Sequence, residues 1–442
     1  MALSIKQLNA DASFLLALEP ISGSAISLGG PEPFRILLDP WITGPSTIFH
    51  PIFSVTSHKE EACISSLRDI PEPDLIIISQ HKSDHCNEAT LKQLPATGTK
   101  TLILAEPAAA KVIRNWKYFD REKVKTIPRW QHPRLHDGQS VVRIQVPPSF
   151  PGGEPGEVTV AFIQQKRDIT GLHAAIGITY RPPPLRKATV KLGAGGLLTP
   201  PATPNSHQSN TNAVLQLPIP TPSGTNAKAL RLAPPTPPSS PGAARRSLRS
   251  TRSMASLSPH ARDRAVSVIF SPHGLSYRSL ESYATSHLVS EAALPLTALL
   301  HCFHAVSNPW WLGGNISSGV PAGQETATAL GARAWISTHD AEKDVRGLMT
   351  RRLKSRRYET SEIAEVLSPR PSPGASPVMR GKTAAGPSGE EGGESVAGGV
   401  WTPQQRNLRA TEVLALKVGE EVGMTSAGIW REDAEEAVWE RG

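Results

Sequence analysis

Residues 74–86 read DLIIISQHKSDHC. Four apolar residues in a row, three of them β-branched, favour a strand over a helix. A short strand that is apolar at every position reads as a buried one. The polar cluster SQHKSDHC (79–86) then stands just past the strand's C-terminal end. Rigid scaffolds place working groups on loops of this kind. This one stretch points to a layered α/β fold and to the place where its chemistry sits.

The neighbouring sequence repeats the pattern. Residues 13–18 (SFLLAL) and 34–38 (FRILL) read as strands upstream. Residues 101–105 (TLILA) form another, followed by a helix over AAAKVIRNW (108–116). Strands continue at 142–146, 158–163, 175–180 and, after a long polar interval, 266–270 (VSVIF). An apolar helix is expected near 290–305, and a helix at 322–333 leads into the strand AWIS (334–337). A last strand is expected at 411–418, where apolar and polar residues alternate. Histidines recur past the strand ends, in GLH (171–173), SPHG (271–274) and STHD (337–340). A His beside an Asp on a tight turn, with further His on separate strand-end loops, is a pattern for holding a metal. Neutral imidazoles and carboxylates suit zinc, manganese or iron, whereas calcium or magnesium would draw on more acids.

Composition divides the chain. Residues 182–264 hold 15 Pro, eleven Lys or Arg, one acid (Asp263) and no Phe, Tyr or Trp. Such a segment cannot bury enough apolar area to offset its ordering entropy, so disorder is expected. Residues 369–408, with eight Gly and six Pro, read the same way. The expected organisation is one interrupted domain: a first part at 1–181, the basic insert 182–264, a second part at 265–368, a Gly/Pro-rich stretch 369–408, and a C-terminal strand and tail at 409–442. Loop entropy grows only logarithmically with length, so such insertions cost one domain little.

Several function classes drop out. The formal charge of +8 looks suited to nucleic acid, but the insert alone carries +10 and leaves −2 for the rest. The insert also has no aromatic residue for base stacking, so nucleic acid is not the expected partner. No window of about 18 residues is apolar and free of charge, so no membrane span is expected. The start, MALSIKQLNADASF, has neither the basic nor the apolar region of a secretory signal. Three cysteines (Cys63, Cys86, Cys302) with no CxxC spacing fit a reducing compartment, the cytoplasm or the nucleus. Six Ser-Pro or Thr-Pro pairs in the insert, at Thr199, Thr203, Thr221, Thr236, Ser240 and Ser258, suit phosphorylation-controlled docking of protein partners.

These motifs resemble the metallo-β-lactamase superfamily, and within it the branch of ascorbate-phosphate lactonases and N-acylphosphatidylethanolamine-cleaving phospholipases. LLDPW (37–41) resembles that branch's early strand ending in Asp, and residues 78–85 resemble its T-H-x-H-x-D-H loop. GLH (171–173) resembles its third motif, FSPHG (270–274) sits where the family has its bridging Asp, and residues 322–340 resemble the closing helix-strand-His motif. More narrowly, the chain is similar to fungal proteins that carry this domain. The resemblance implies a four-layer αββα sandwich, interrupted here by long insertions.

It also implies a metal site, and the departures from the motif change that site. Gln80 and Lys82 stand where the motif's first two His would be, with His81 between them. The family's first metal would keep only His173. The second would keep Asp84, His85 and His339, with His273 in place of the bridging Asp: one carboxylate and three imidazoles, a four-ligand set for one divalent metal. The expected activity is that of a metal-dependent hydrolase on a small-molecule substrate. Its ion would activate water and polarise the scissile bond, Lys82 would stabilise the developing oxyanion, and Asp84 would act as both ligand and proton acceptor. The alternative is a catalytically inactive scaffold of the same fold with a phosphorylatable insert. Asp39 reads as a turn-forming, orienting residue. Asp168 either orients His173 or pairs with Arg167 at the surface. His301 and His304 read as packed or half-exposed on the apolar helix. Trp310-Trp311 reads as core or as a pocket wall.

Overall fold

The structure is a computed structural model that describes residues 2–19, 32–48, 52–135, 139–148, 153–168, 170–183, 265–347, 350, 352–367 and 410–430. The expected insert 182–264, except its first two residues, and the stretch 369–408 lie outside the described residues.

All four side chains of the Leu75–Ile78 strand are buried. Strand geometry sends successive side chains to opposite faces. Leu75 and Ile77 join Phe14, Leu16, Val160, Ile176 and Phe270 in one core. Ile76 and Ile78 join Leu37, Ile103, Ala109 and Ile113 in another, under the helix Pro107–Asn115. The second sheet divides in the same way. Val160, Phe162, Ile176 and Ile178 face inward, while Ala161, Ile163, Ile269, Leu299 and Trp335 face outward. The outward set packs on Tyr283, Leu288, Ala327 and Leu330. Three apolar layers separated by two sheets make the four-layer αββα sandwich.

The first sheet has eight strands in the order Gly428–Ile429, Glu421–Thr425, Ala2–Gln7, Phe14–Glu19, Phe34–Leu38, Leu75–Ile78, Leu102–Ala105 and Val124–Thr126. Pairing is antiparallel as far as Phe34–Leu38 and parallel beyond it. The second has seven: Glu412–Leu414, Ala334–Ile336, Ala298–His301, Val266–Ser271, Ala174–Arg181, Gly156–Gln164 and Val142–Val146. Its first four are parallel. Loops leaving the C-terminal ends of the parallel strands of both sheets meet at one edge of the sandwich, and the candidate site lies there. Two small sheets frame that edge. One joins Ser46–Ile48, Ser54–His58 and Lys343–Arg346; the other joins Ala305–Ser307, Asn315–Ser318 and Lys354–Arg356.

Two expectations need correction. Residues 290–305 are not a helix. The helix lies earlier, at Tyr277–Tyr283, and continues through a π-helical turn at Ala284–Leu288, while Ala298–His301 is a parallel strand. A strand buried on both faces has no alternation, and by periodicity alone it cannot be told from a buried helix. The C-terminal strand is shorter than 411–418, covering Glu412–Leu414. Past a turn, Glu421–Thr425 crosses to the other sheet and pairs with Ala2–Gln7, Leu3 opposite Met424. Neither Glu421–Thr425 nor its partner Ala2–Gln7 was expected. No helix among the described residues is long and apolar enough to cross a membrane.

Candidate metal centre

Asp39 ends the Phe34–Leu38 strand with φ 39°, in the left-handed region, and its N–H donates to Ile77 O at 3.0 Å. The adjacent parallel strand ends one step away at Ile78. The two strand ends therefore set the Asp39 carboxylate against the start of the 79–86 loop. It accepts from Ser79 N at 2.7 Å, from the Ser79 hydroxyl, and from His85 Nδ1 at 2.7 Å. His85 and Asp39 are fully buried.

His273 follows the Val266–Ser271 strand, and its Nδ1 donates to Ile316 O at 3.1 Å. The turn needs Gly274 (φ 79°), because a Cβ there would meet the His301 ring at 2.8 Å. His339 follows the Ala334–Ile336 strand with φ 62° and donates its backbone N–H to Asp11 O at 3.2 Å. Its Nδ1 lies 3.1 Å from the Asp11 carboxylate. Lys343 Nζ holds the same carboxylate at 2.7 Å and stands 3.2 Å from His339 Nδ1.

At His85 and His273 an oxygen acceptor at Nδ1 fixes the Nδ1–H form and leaves Nε2 to the interior, while the His339 Nδ1 lies between the Asp11 carboxylate and Lys343 Nζ. These side chains converge. One ligand atom from each of His85, His273 and His339 lies within 4.8 Å of the others, the single such group among the described residues. His85 Nε2 and His273 Nε2 are 3.2 Å apart. Asp84 stands at the edge of the group, with Oδ2 3.9 Å from His85 Nε2 and 4.0 Å from His339 Nε2. Its Oδ1 is buried with no hydrogen-bond partner.

The site's charges are strongly coupled. Burial alone would raise the Asp84 and Asp11 carboxyls, but His339 and Lys343, with His85 at Asp84, outweigh it and hold both below the usual range. Burial would lower His85, yet Asp84 and Asp39 outweigh it and raise it. Burial, reinforced by His339, His85 and Lys343, keeps His273 well below the ordinary imidazole value. Two Nδ1–H imidazoles cannot turn bare Nε2 lone pairs on each other at 3.2 Å without a positive charge between them. A proton on His85 serves that need, and so does a divalent cation. Among the described contacts, Asp11, Asp39 and Asp84 carry three negative charges against one on Lys343. A divalent ion would balance them, and the unpartnered Asp84 Oδ1 is a ready ligand. The donor set fits such an ion.

His173, expected among the ligands, is not part of the group. Its Nδ1 faces Gly274 O at 3.0 Å and its Nε2 faces Asn315 O at 3.2 Å. Gln80, in the place of a motif His, donates to Leu172 O at 2.8 Å and straps that loop down. Lys82 lies half-buried on the turn, its carbonyl accepting from His85 N and Cys86 N. Asp168 orients His173 through its backbone, accepting from His173 N at 2.7 Å. His301 ends a buried strand, and His304 Nδ1 accepts from Tyr358 N at 3.3 Å. Trp310 and Trp311 are not core; both are exposed.

Sequence reasoning missed Asp11 and Lys343. Asp11 is held by an Asn9 turn, in which Asn9 Oδ1 accepts from Asp11 N and Ser13 N. Asn9-x-x-x-Ser13 between two strands is a turn signal, but not one that points to a metal. Lys343, four residues past His339, enters because its strand pairs with Ser54–His58, Lys343 opposite His58.

Residues 21–174 match the model of the beta-lactamase superfamily domain. The match takes in Asp39, Asp84, His85 and His173 and ends before His273 and His339. It covers less than half the chain and, together with the αββα sandwich, supports the superfamily. No curated protein matches the chain.

Proposed function

We propose that this chain is a metal-dependent hydrolase working with one divalent ion, zinc first, with manganese or iron next, held by Asp84, His85, His273 and His339. One observation carries the reading: three imidazoles, each with its Nδ1 near an oxygen, bring one ring nitrogen apiece within 4.8 Å of the others, beside an unpartnered buried Asp84 oxygen. A bound ion would supply Lewis acidity and an acidified water. The chain's own residues do the rest. Asp39, Ile316 O and Asp11 hold the rings in register. The Asp84 oxygen not bound to the ion would accept a proton from the attacking water. The Lys82 ammonium, on the same turn, receives the negative charge that develops on the substrate oxygen. The substrate is a small molecule with an ester, lactone, phosphodiester or amide bond. Cys63, Cys86 and Cys302 remain thiols, which suits a reducing compartment such as the cytoplasm or nucleus.

A second reading has its own support. Gln80 and His173 are committed to carbonyls where a first metal would need them, as an inactive scaffold permits. Metal analysis of protein purified without chelator separates the two. About one equivalent, lost in His339→Ala, with turnover lost in Lys82→Ala while metal is kept, supports the hydrolase. Metal-free protein that takes up no zinc supports the scaffold.

A further inference from the structure

Trp310 and Trp311 are 87% and 55% exposed. Two adjacent indoles left in water form the largest aromatic pair exposed among the described residues, and such a patch commonly marks a contact surface. They sit on the turn before Asn315–Ser318, whose inner end supplies Ile316 O to His273. The same small sheet carries Lys354–Arg356 as its outer strand, every residue exposed. Residues 347–358, GLMTRRLKSRRY, hold five Lys or Arg and no acid. Leu353 is exposed beside them. The Arg352 guanidinium lies 5.3 Å over the Trp311 ring, and that of Arg356 4.7 Å over Tyr358.

We infer that this rim docks the protein on an anionic lipid surface, placing the histidine site at the membrane–water boundary. Indoles prefer the interface, where the ring is apolar and the N–H stays wet. Arginine and lysine bury their stems and keep their charge among the headgroups. A single-stranded nucleic acid fits less well. Bases would need the aromatic faces, and the arginines already cover Trp311 and Tyr358. Against a lipid surface that stacking is kept, with the guanidinium at the phosphate and the indole edge below it. The inference concerns attachment only and is independent of what the site hydrolyses.

The test uses the full chain and vesicles of phosphatidylcholine with and without phosphatidylserine, with brominated acyl chains in a parallel set. Two variants are compared, Trp310→Ala/Trp311→Ala and Arg352→Gln/Lys354→Gln/Arg356→Gln. All five positions are exposed, so unchanged thermal midpoints are the control. The expected result is partition that needs phosphatidylserine, bromine quenching of indole fluorescence, loss of that quenching in the tryptophan variant, and partition weakened about tenfold or more in both variants. Partition unchanged in both variants would mean that the basic residues 182–264 do the binding and would overturn the inference. So would the absence of quenching in the wild type, or tighter binding to a single-stranded oligonucleotide that depends on the same residues.

Discussion

Asp39 lies behind His85 and fixes which face of that ring looks inward. Such orienting carboxylates commonly set metal affinity by a factor of about 10–100. Asp39→Asn keeps the left-handed backbone that Asn also tolerates but loses the charge and one acceptor. Zinc affinity, read by competition with an indicator chelator, should fall by about that factor while the fold persists. Unchanged affinity would leave Asp39 as a turn residue alone. His301 and His287 test a different property, the cost of burying imidazoles. Burial pushes both down to about 4, helped at His287 by Arg143 and Arg181 and opposed by Glu291. Their folded values lie below the unfolded 6.5, so the unfolded chain binds the extra protons. Stability is therefore intact above about pH 6.5 and is lost as the pH falls toward 4. Each should contribute on the order of 3 kcal/mol at full extent. Denaturant midpoints across that window should drop for the wild type and drop less steeply for His301→Gln. Parallel slopes would remove His301 from the account.

Helix Gly319–Leu330 packs on the strand that carries His339, and the contact is tight at Gly323. Glycine inside a helix ordinarily costs about 1 kcal/mol against alanine, so Gly323→Ala should stabilise if only the helix mattered. A Cβ there would stand 2.1 Å from the fully buried Trp335 ring, whose Nε1 donates to His301 O at 3.0 Å. That ring cannot withdraw without breaking its bond, and overpacking of this kind costs about 1–3 kcal/mol. The expected sign is destabilisation, read from thermal melts. A higher midpoint would mean that the layer is looser than the contact implies. This close approach is what sequence reading lacks. The helix at 322–333 and the strand at 334–337 are legible from period and β-propensity, but nothing local says that the glycine exists for the tryptophan. The strand at Ala298–His301 escaped for the related reason that burial on both faces erases its alternation.

Both central sheets need the C-terminal segment. Glu412–Leu414 borders one and Glu421–Thr425 borders Ala2–Gln7 in the other, where Met424 is fully buried. Ending the chain at 367 strips an edge from each sheet, and the midpoint should fall by more than about 10 °C. Deleting 185–262 should leave it within a few degrees, because the flanking strands already pair, Tyr180 opposite Val266, and loop length alone is worth well under about 1 kcal/mol. Equal melting of the 367 truncation and the full chain would contradict the first expectation, and an insoluble deletion variant the second. The two results divide what sequence and fold each decide. Local pattern alone determined the layered class and the histidines past strand ends, because strand period, turn residues and composition act over a few neighbours. It placed His85, His273 and His339 on separate loops. Only the tertiary structure decided that these three meet while His173 turns to carbonyls. Besides Asp39, the groups that aim the rings are a backbone oxygen at Ile316, which carries no signature in sequence, and Asp11 with Lys343, which lie far apart along the chain and are joined only by sheet register and burial.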